Sequence, residues 1–407
     1  MNRYLRAAFL PDTFHEVNGV ALTSRQLESF ARRKQIPFLS IHCGEQNSTL
    51  TDGAVTVMEL KRGRASIELD TQLDYDPFLL RYFGRVRRQV KSFGAEVIHV
   101  TGPGDMGFLG LCVALSLRIP LVISWHTNLH EYSGRRLERL LTSAPRPLRR
   151  AVARYGEMGS LRILQFFYSF ARVVLAPNTE LVQQLHELTG KPTFIMRRGV
   201  DTNLFSPSRR NRSSGAFRIG YVGRLTAEKN VRFLADIGSA LLKAGRKDFE
   251  FVIVGQGNEQ PWLEANLPNA RFTGVLRGEE LAREFANMDL FVFPSTTDTF
   301  GNVILEAMAS GVPAVVTSEG GPKFLVQSGV TGYVASDFNS FKRCVKGLLT
   351  DLDTHHAMRE AARHYACGLS WDGVFEKLFS TYRHCYNHSR PTGAKSATRP
   401  DAARLTA

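Results

Sequence analysis

Short runs of consecutive apolar residues alternate with longer amphipathic stretches along most of the chain. A first series lies at Arg6–Leu10, Phe38–His42, Val97–Val100, Leu121–Trp125, Val173–Ala176 and Thr193–Ile195. A second lies at Phe217–Val222, Phe251–Val254, Arg271–Phe272, Leu290–Phe293 and Ala314–Val316. Each run is rich in β-branched residues and is apolar at successive positions, the pattern of a strand covered on both faces. The helix-length segments between them make βαβ units and therefore parallel sheets. The polar stretch within Phe205–Gly215 has too few apolar residues for a core, so it separates two α/β domains. Two such domains set the carboxyl ends of their strands around a cleft. Beyond Asn387 the chain has little to bury and is expected to be a disordered tail.

Composition changes this picture little. The 407 residues are 43% hydrophobic and 22% charged, which excludes collagen-like, coiled-coil and wholly disordered classes. Five scattered cysteines without a C-x-x-C pair suit a reducing compartment and supply no zinc set. The N-terminus is not expected to be a signal peptide. The longest mostly apolar run, Met106–Leu117, falls short of the roughly 20 residues needed to span a bilayer. A cytoplasmic location is expected, with peripheral attachment to the inner membrane face left open.

Charge adds one local feature. The chain has 52 basic and 38 acidic residues, a net of +14, which favours an anionic partner. Half of that surplus falls between Arg135 and Arg172, where nine Arg face Glu138 and Glu157. Apolar Leu161–Tyr168 lies within the same stretch. Basic and exposed apolar residues side by side suit an anionic membrane surface, while a solvated helix packed on the core is the plainer reading. No nucleic-acid partner is expected, because stacking aromatics do not interleave the basic residues.

Candidate chemistry clusters where strands end. After the strand ending at Phe293, a polar loop carries Asp298, Gly301 opens a helix, and Glu306 follows inside it. Free amides and the dipole of a helix start favour phosphate, and the two carboxylates can take hydroxyls on either side. After Val222 come Gly223, Arg224 and Lys229, two cations able to grip a diphosphate. After the first strand, Asn18-Gly19 opens another helix. Gly102, Gly104 and Gly107 match G-x-G-x-x-G formally, but the next strand ends without the acid a dinucleotide site needs, so that reading is rejected. His126 and His130 are spaced like metal ligands, yet no third ligand has a recognisable spacing; no metal site is expected. His126 at a strand end is instead suited to hydrogen-bond a substrate hydroxyl.

The order and spacing of these pieces resemble the retaining GT-B glycosyltransferases of family 4, also called group 1, over nearly the whole chain. The most specific pieces are Tyr221–Arg224 with Lys229-Asn230, Asp298–Gly301 with Glu306–Gly311, and Arg198-Gly-Val-Asp201. The resemblance implies two doubly wound Rossmann-like domains facing across a cleft: an acceptor-side domain over 1–205, a linker over 206–215 and a nucleotide-sugar domain over 216–368. A crossover helix over 369–386 and the tail over 387–407 complete it. It implies catalytic roles for His126, Arg224, Lys229 and Asp298. Gly19 and Phe300, Gly301, Asn302 and Val303 are implied to contact donor phosphate or sugar, Glu306 the ribose, and Val275 and Leu276 the base. Asp298 stands where the family usually has Glu. The Asp-Thr-Phe-Gly form is similar to mannosyltransferases and sulfoquinovosyl-diacylglycerol synthase-like enzymes.

The implied reaction moves a mannose- or glucose-type hexose from a GDP- or UDP-hexose to a lipid or glycan acceptor, with retention. It needs no metal and no cofactor, the nucleotide sugar being a substrate. A nucleotide-sugar epimerase of the same fold and a non-catalytic anion-binding protein remain as the other readings of the residues.

Overall fold

The computed structural model describes residues 4–16, 18–70, 73–125, 162–212, 214–298 and 300–388. The first sheet contains β1 (Ala7–Leu10), β2 (Phe38–Gly44), β3 (Ser48–Asp52) and β4 (Val55–Lys61). A separate hairpin pairs β5 (Ile67–Asp70) with β6 (Leu73–Tyr75). The first sheet then takes up β7 (Val97–Val100), β8 (Leu121–Ser124), β9 (Val173–Ala176) and β10 (Thr193–Ile195). Its order is β10-β9-β8-β7-β1-β2-β4-β3, parallel throughout except for the antiparallel edge strand β3.

The second sheet contains β11 (Phe217–Val222), β12 (Phe249–Val254), β13 (Ala270–Gly274), β14 (Leu290–Phe293), β15 (Ala314–Thr317) and β16 (Gly332–Ala335). Its order is β13-β12-β11-β14-β15-β16, parallel at every pairing. Both sheets run outward in two directions from their first strand, which is the doubly wound arrangement. The strand order therefore reverses beside β1 and beside β11, and the crevice at such a reversal is where ligands of open α/β sheets sit.

Alternation along β1 divides the first domain into two cores. Ala8 and Leu10 face a layer that includes helix Asp105–Leu117, while Ala7 and Phe9 face helix Gly19–Arg33 and helix Trp371–Asn387. That last helix comes from the end of the chain, after the second sheet. It buries Trp371, Phe375, Leu378, Phe379, Tyr382 and Cys385 on the first sheet's side, and Tyr382 hydrogen-bonds His99 of β7 at 2.6 Å. The chain crosses back beside Val200, whose amide donates to the Leu369 carbonyl at 3.0 Å. Two α/β domains thus face each other across a cleft, and the terminal helix packs on the first.

Two expectations are extended by the structure. Strands β3, β4, β5, β6 and β16 were absent from the apolar-run reading. β4 alternates polar and apolar residues, and β3 is an exposed edge strand, so neither makes a continuous run. The G-x-G-x-x-G stretch after β7 is used internally. The amides of Gly104 and Gly107 donate to the Asp12 carboxylate at 3.3 and 3.0 Å, and a Cβ on Gly107 would strike the Gly102 carbonyl. The tail was expected over 387–407, but Asn387 ends the last helix and His388 caps it; residues 389–407 lie outside the described residues.

Candidate active site

The loop after β11 and the loop after β14 flank the reversal point of the second sheet, and the predicted phosphate residues sit on them. Lys229 ends a single 3-10 turn, Ala227–Lys229, which Asn230 terminates in the left-handed conformation at φ 53°. That turn directs the lysine back across the sheet edge. Its Nζ lies 2.7 Å from Oδ1 of Asp298, with both side chains largely buried. The other carboxylate oxygen, Oδ2, is buried and has no hydrogen-bond partner. Arg224 pairs with Glu228 at 2.6 Å and keeps its guanidinium half-exposed. Both cations therefore have a carboxylate partner within the protein.

Glycines let these loops nest. Gly255 has φ +134°, and a Cβ there would collide with the Gly223 carbonyl; one on Gly257 would strike the Leu225 carbonyl. The loop after β12 can thus support the loop after β11 only without side chains at those positions. On the other side, the Asp298 carbonyl accepts from the Gly321 amide at 2.7 Å, and Thr317 Oγ1 donates to the Ser295 carbonyl at 2.9 Å. Loops after four neighbouring strands are pinned together.

Gly301 precedes helix Asn302–Ala309 with φ 94° and ψ 66°, a left-handed conformation that disfavours a Cβ. Free amides at a helix start attract anions. Phe300 is buried, while Asn302 and Val303 are half-buried. Glu306, one turn further on, is half-buried rather than solvated, and desolvation pushes its carboxyl up to about 7. Val275 and Leu276 follow β13, two strands away from β11; Val275 is exposed and Leu276 packs partly against the second core. The base-directed and phosphate-directed positions therefore fall in one row along the carboxyl edge of the sheet.

The first domain reaches this row through Gly19. Asn18 caps its helix, accepting from the Val20 and Ala21 amides at 3.0 and 2.9 Å. A Cβ on Gly19 would collide with the Arg198 guanidinium and come within 3.4 Å of Asn302 Nδ2. Gly19 of one domain thus meets a residue following β10 and a helix start of the other. Arg198 had been read only as part of a motif. It is buried, its guanidinium lies 5.8 Å from the centre of the Phe300 ring, and burial lowers its pKa to about 10. A basic residue next to a glycine after a strand was the only sign of it in the sequence. His126 and the basic stretch up to residue 161 lie outside the described residues.

Comparison with known proteins carries the decision. Residues 68–204 match Glycosyltransferase Family 4, and residues 216–351 match Glycosyl transferases group 1. A GDP-mannose-dependent alpha-mannosyltransferase of Mycolicibacterium smegmatis is 32% identical over 301 residues, 72% of this chain and 74% of that protein.

The chain belongs to Glycosyltransferase Family 4.

This family 4 glycosyltransferase also resembles the sulfoquinovosyl transferase SQD2 of Arabidopsis thaliana. The identity is 28% over 322 residues, covering 74% of this chain and 59% of that one. The mannosyltransferases it matches are covered over 66%, 74% and 75% of their own lengths. Among solved structures, a sucrose-phosphate synthase from Thermosynechococcus elongatus superposes with a TM-score of 0.71 at 18% identity. That match covers 94% of this chain and 100% of the other, and it supports the GT-B fold. The protein is a nucleotide-sugar-dependent glycosyltransferase with two Rossmann-like domains. Among the described residues no helix is long and apolar enough to cross a membrane.

Proposed function

We propose that this glycosyltransferase moves a hexose, mannose first, from a GDP-hexose to a lipid or glycan acceptor with retention at the anomeric carbon. The observation that carries the reading is the convergence of Lys229, Asp298 and the Gly301 helix start at the reversal point of the second sheet. The mannosyltransferase relatives favour GDP-mannose, and UDP-hexose is the second donor to test. In this reading the domains divide at 205 and 216, with the crossover helix beginning near 369.

As the glycosidic bond stretches, negative charge grows on the departing diphosphate. Arg224, Lys229 and the amides of Gly301, Asn302 and Val303 stabilise it, as preorganised donors do. Asp298 then exchanges Lys229 for sugar hydroxyls, for which its buried Oδ2 is already available. Glu306 takes the ribose hydroxyls, Val275 and Leu276 flank the base, and Gly19 admits the phosphate from the opposite domain. His126 contacts the transferred sugar. The acceptor attacks from the face the diphosphate leaves, and a departing phosphate oxygen takes its proton. The two cations supply the positive charge that a bridging metal would otherwise provide.

An anionic membrane surface is the proposed location of a lipid acceptor. Ile163 and Phe166 support it, being exposed by 61% and 63% next to the arginine-rich stretch. The deciding experiment assays transfer from GDP-, UDP- and ADP-hexoses and determines the anomer of the product by NMR. GDP-mannose is expected to be used best, giving an α-linked product, with added magnesium changing turnover less than about twofold. An inverted product, or turnover that depends on magnesium, would refute the mechanism.

A further inference from the structure

Three ligating side chains that carry no role above converge on the first sheet. His15 lies in the loop after β1, His42 in β2 and Glu59 in β4. β2 and β4 are parallel neighbours, and His42 stands opposite Glu59 in the register. The loop from β1 folds over this pair and brings His15 Nε2 to 3.5 Å from Glu59 Oε1. One ligand atom from each of the three lies within 4.8 Å of the others.

His42 is the informative member. It is 1% exposed, and its ring stacks on Phe14 with centroids 3.8 Å apart, so its orientation is fixed. Its Nδ1 lies 3.2 Å from the Cys43 carbonyl, which can only accept; Nδ1 therefore carries a hydrogen. The remaining Nε2 is buried without a hydrogen-bond partner. A buried polar atom left unpaired is destabilising, and the ring that carries it lies 5.1 Å from the His15 ring and opposite Glu59 in the register. An imidazole that donates from one nitrogen to a carbonyl and offers the other is how metal-bound histidines are held. Ser48 Oγ donates to Glu59 Oε2 at 3.3 Å, which orients the carboxylate in the same way.

We propose that His15, His42 and Glu59 bind one first-row divalent cation, with zinc the preferred ion. Two imidazoles and a carboxylate form a nitrogen-rich borderline set, which suits zinc better than magnesium or calcium. Exposed His15 swings in to close the ligand set, and a fourth position remains for water. The ion ties the loop before Gly19 to β2 and β4, and so steadies the helix start that faces Arg198 and Asn302. Its ligands all come from the first domain, whereas Lys229, Asp298 and the Gly301 helix start belong to the second.

The test uses the full chain, stripped with chelator and dialysed. Zinc chloride is titrated calorimetrically, and cobalt(II) absorption reports the coordination. One equivalent is expected to bind saturably and raise the melting temperature. His15→Ala and Glu59→Gln should each weaken binding at least ~10-fold, the size of loss seen when even an outer partner of a metal ligand is removed. Neither substitution removes core packing, so the stripped variants should melt with the stripped parent. Absence of stoichiometric binding would overturn the proposal. So would binding unchanged in both variants, which would place the ion elsewhere in the chain.

Discussion

At the scale of single residues, the site is a set of charges already paired before a donor arrives. Lys229 is held by Asp298 and Arg224 by Glu228, so each cation is oriented without donor present. Lys229→Ala should lower kcat by ~100-fold or more, comparable to deleting one charge-stabilising donor; steady-state kinetics at saturating donor measures it. Glu306 makes a different prediction. Burial pushes its carboxyl up to about 7, so the carboxylate proposed to accept ribose hydroxyls is present above that pH and lost as pH falls through it. Donor KM should therefore rise as the pH drops from 8 to 6 (about one unit on either side of the transition). Glu306→Gln should flatten that profile and raise KM by about 10-fold, about 1.4 kcal/mol of lost hydrogen bonding. The residue types at 229, 298 and 306 were legible in the sequence because cations and carboxylates followed strand ends. Their pairing was not, because the two loops lie far apart along the chain. Arg198 was missed as a site residue for the same reason: only folding sets it between Gly19 and Phe300.

At the scale of elements, strands β1 and β7 carry the counterpart of the second sheet's crevice, but a side chain fills it. Asp12 occupies the helix start at Gly104–Gly107. Burial, reinforced by the Asp105 charge, raises its carboxyl to about 7, while backbone amides pull the other way. The folded state therefore keeps a proton that the unfolded chain releases near the ordinary 3.8. The contribution to stability is complete below that value and is lost as pH rises through about 7. Melting temperatures across this range should decline for the parent, and Asp12→Asn should remove part of the slope. Fully buried strands were found from sequence, since both faces write apolar residues into consecutive positions. Strand β4 was not, because its alternation resembles neither a buried run nor a helix.

At the scale of the whole molecule, the last helix returns from the second domain to pack on the first. Phe375 is buried among Phe30 and Trp371 on the first sheet's side, although some 340 residues separate it from Phe30. Phe375→Ala should cost ~3–5 kcal/mol, the usual loss for an aromatic core residue. Denaturant unfolding followed by a probe in the first domain should show the loss there. The cleft is also bridged by Lys323 and Glu180 at 3.0 Å.

The sequence by itself determined the two-domain fold class and the family, because burial pattern and short loop motifs are local properties. It also placed the reactive residue types at strand ends. Tertiary structure alone decided which charges neutralise one another, that Asp12 occupies the glycine-rich helix start, and that His15, His42 and Glu59 meet. Those are distances between residues on different strands, fixed by sheet order and register, and linear spacing carries no record of them.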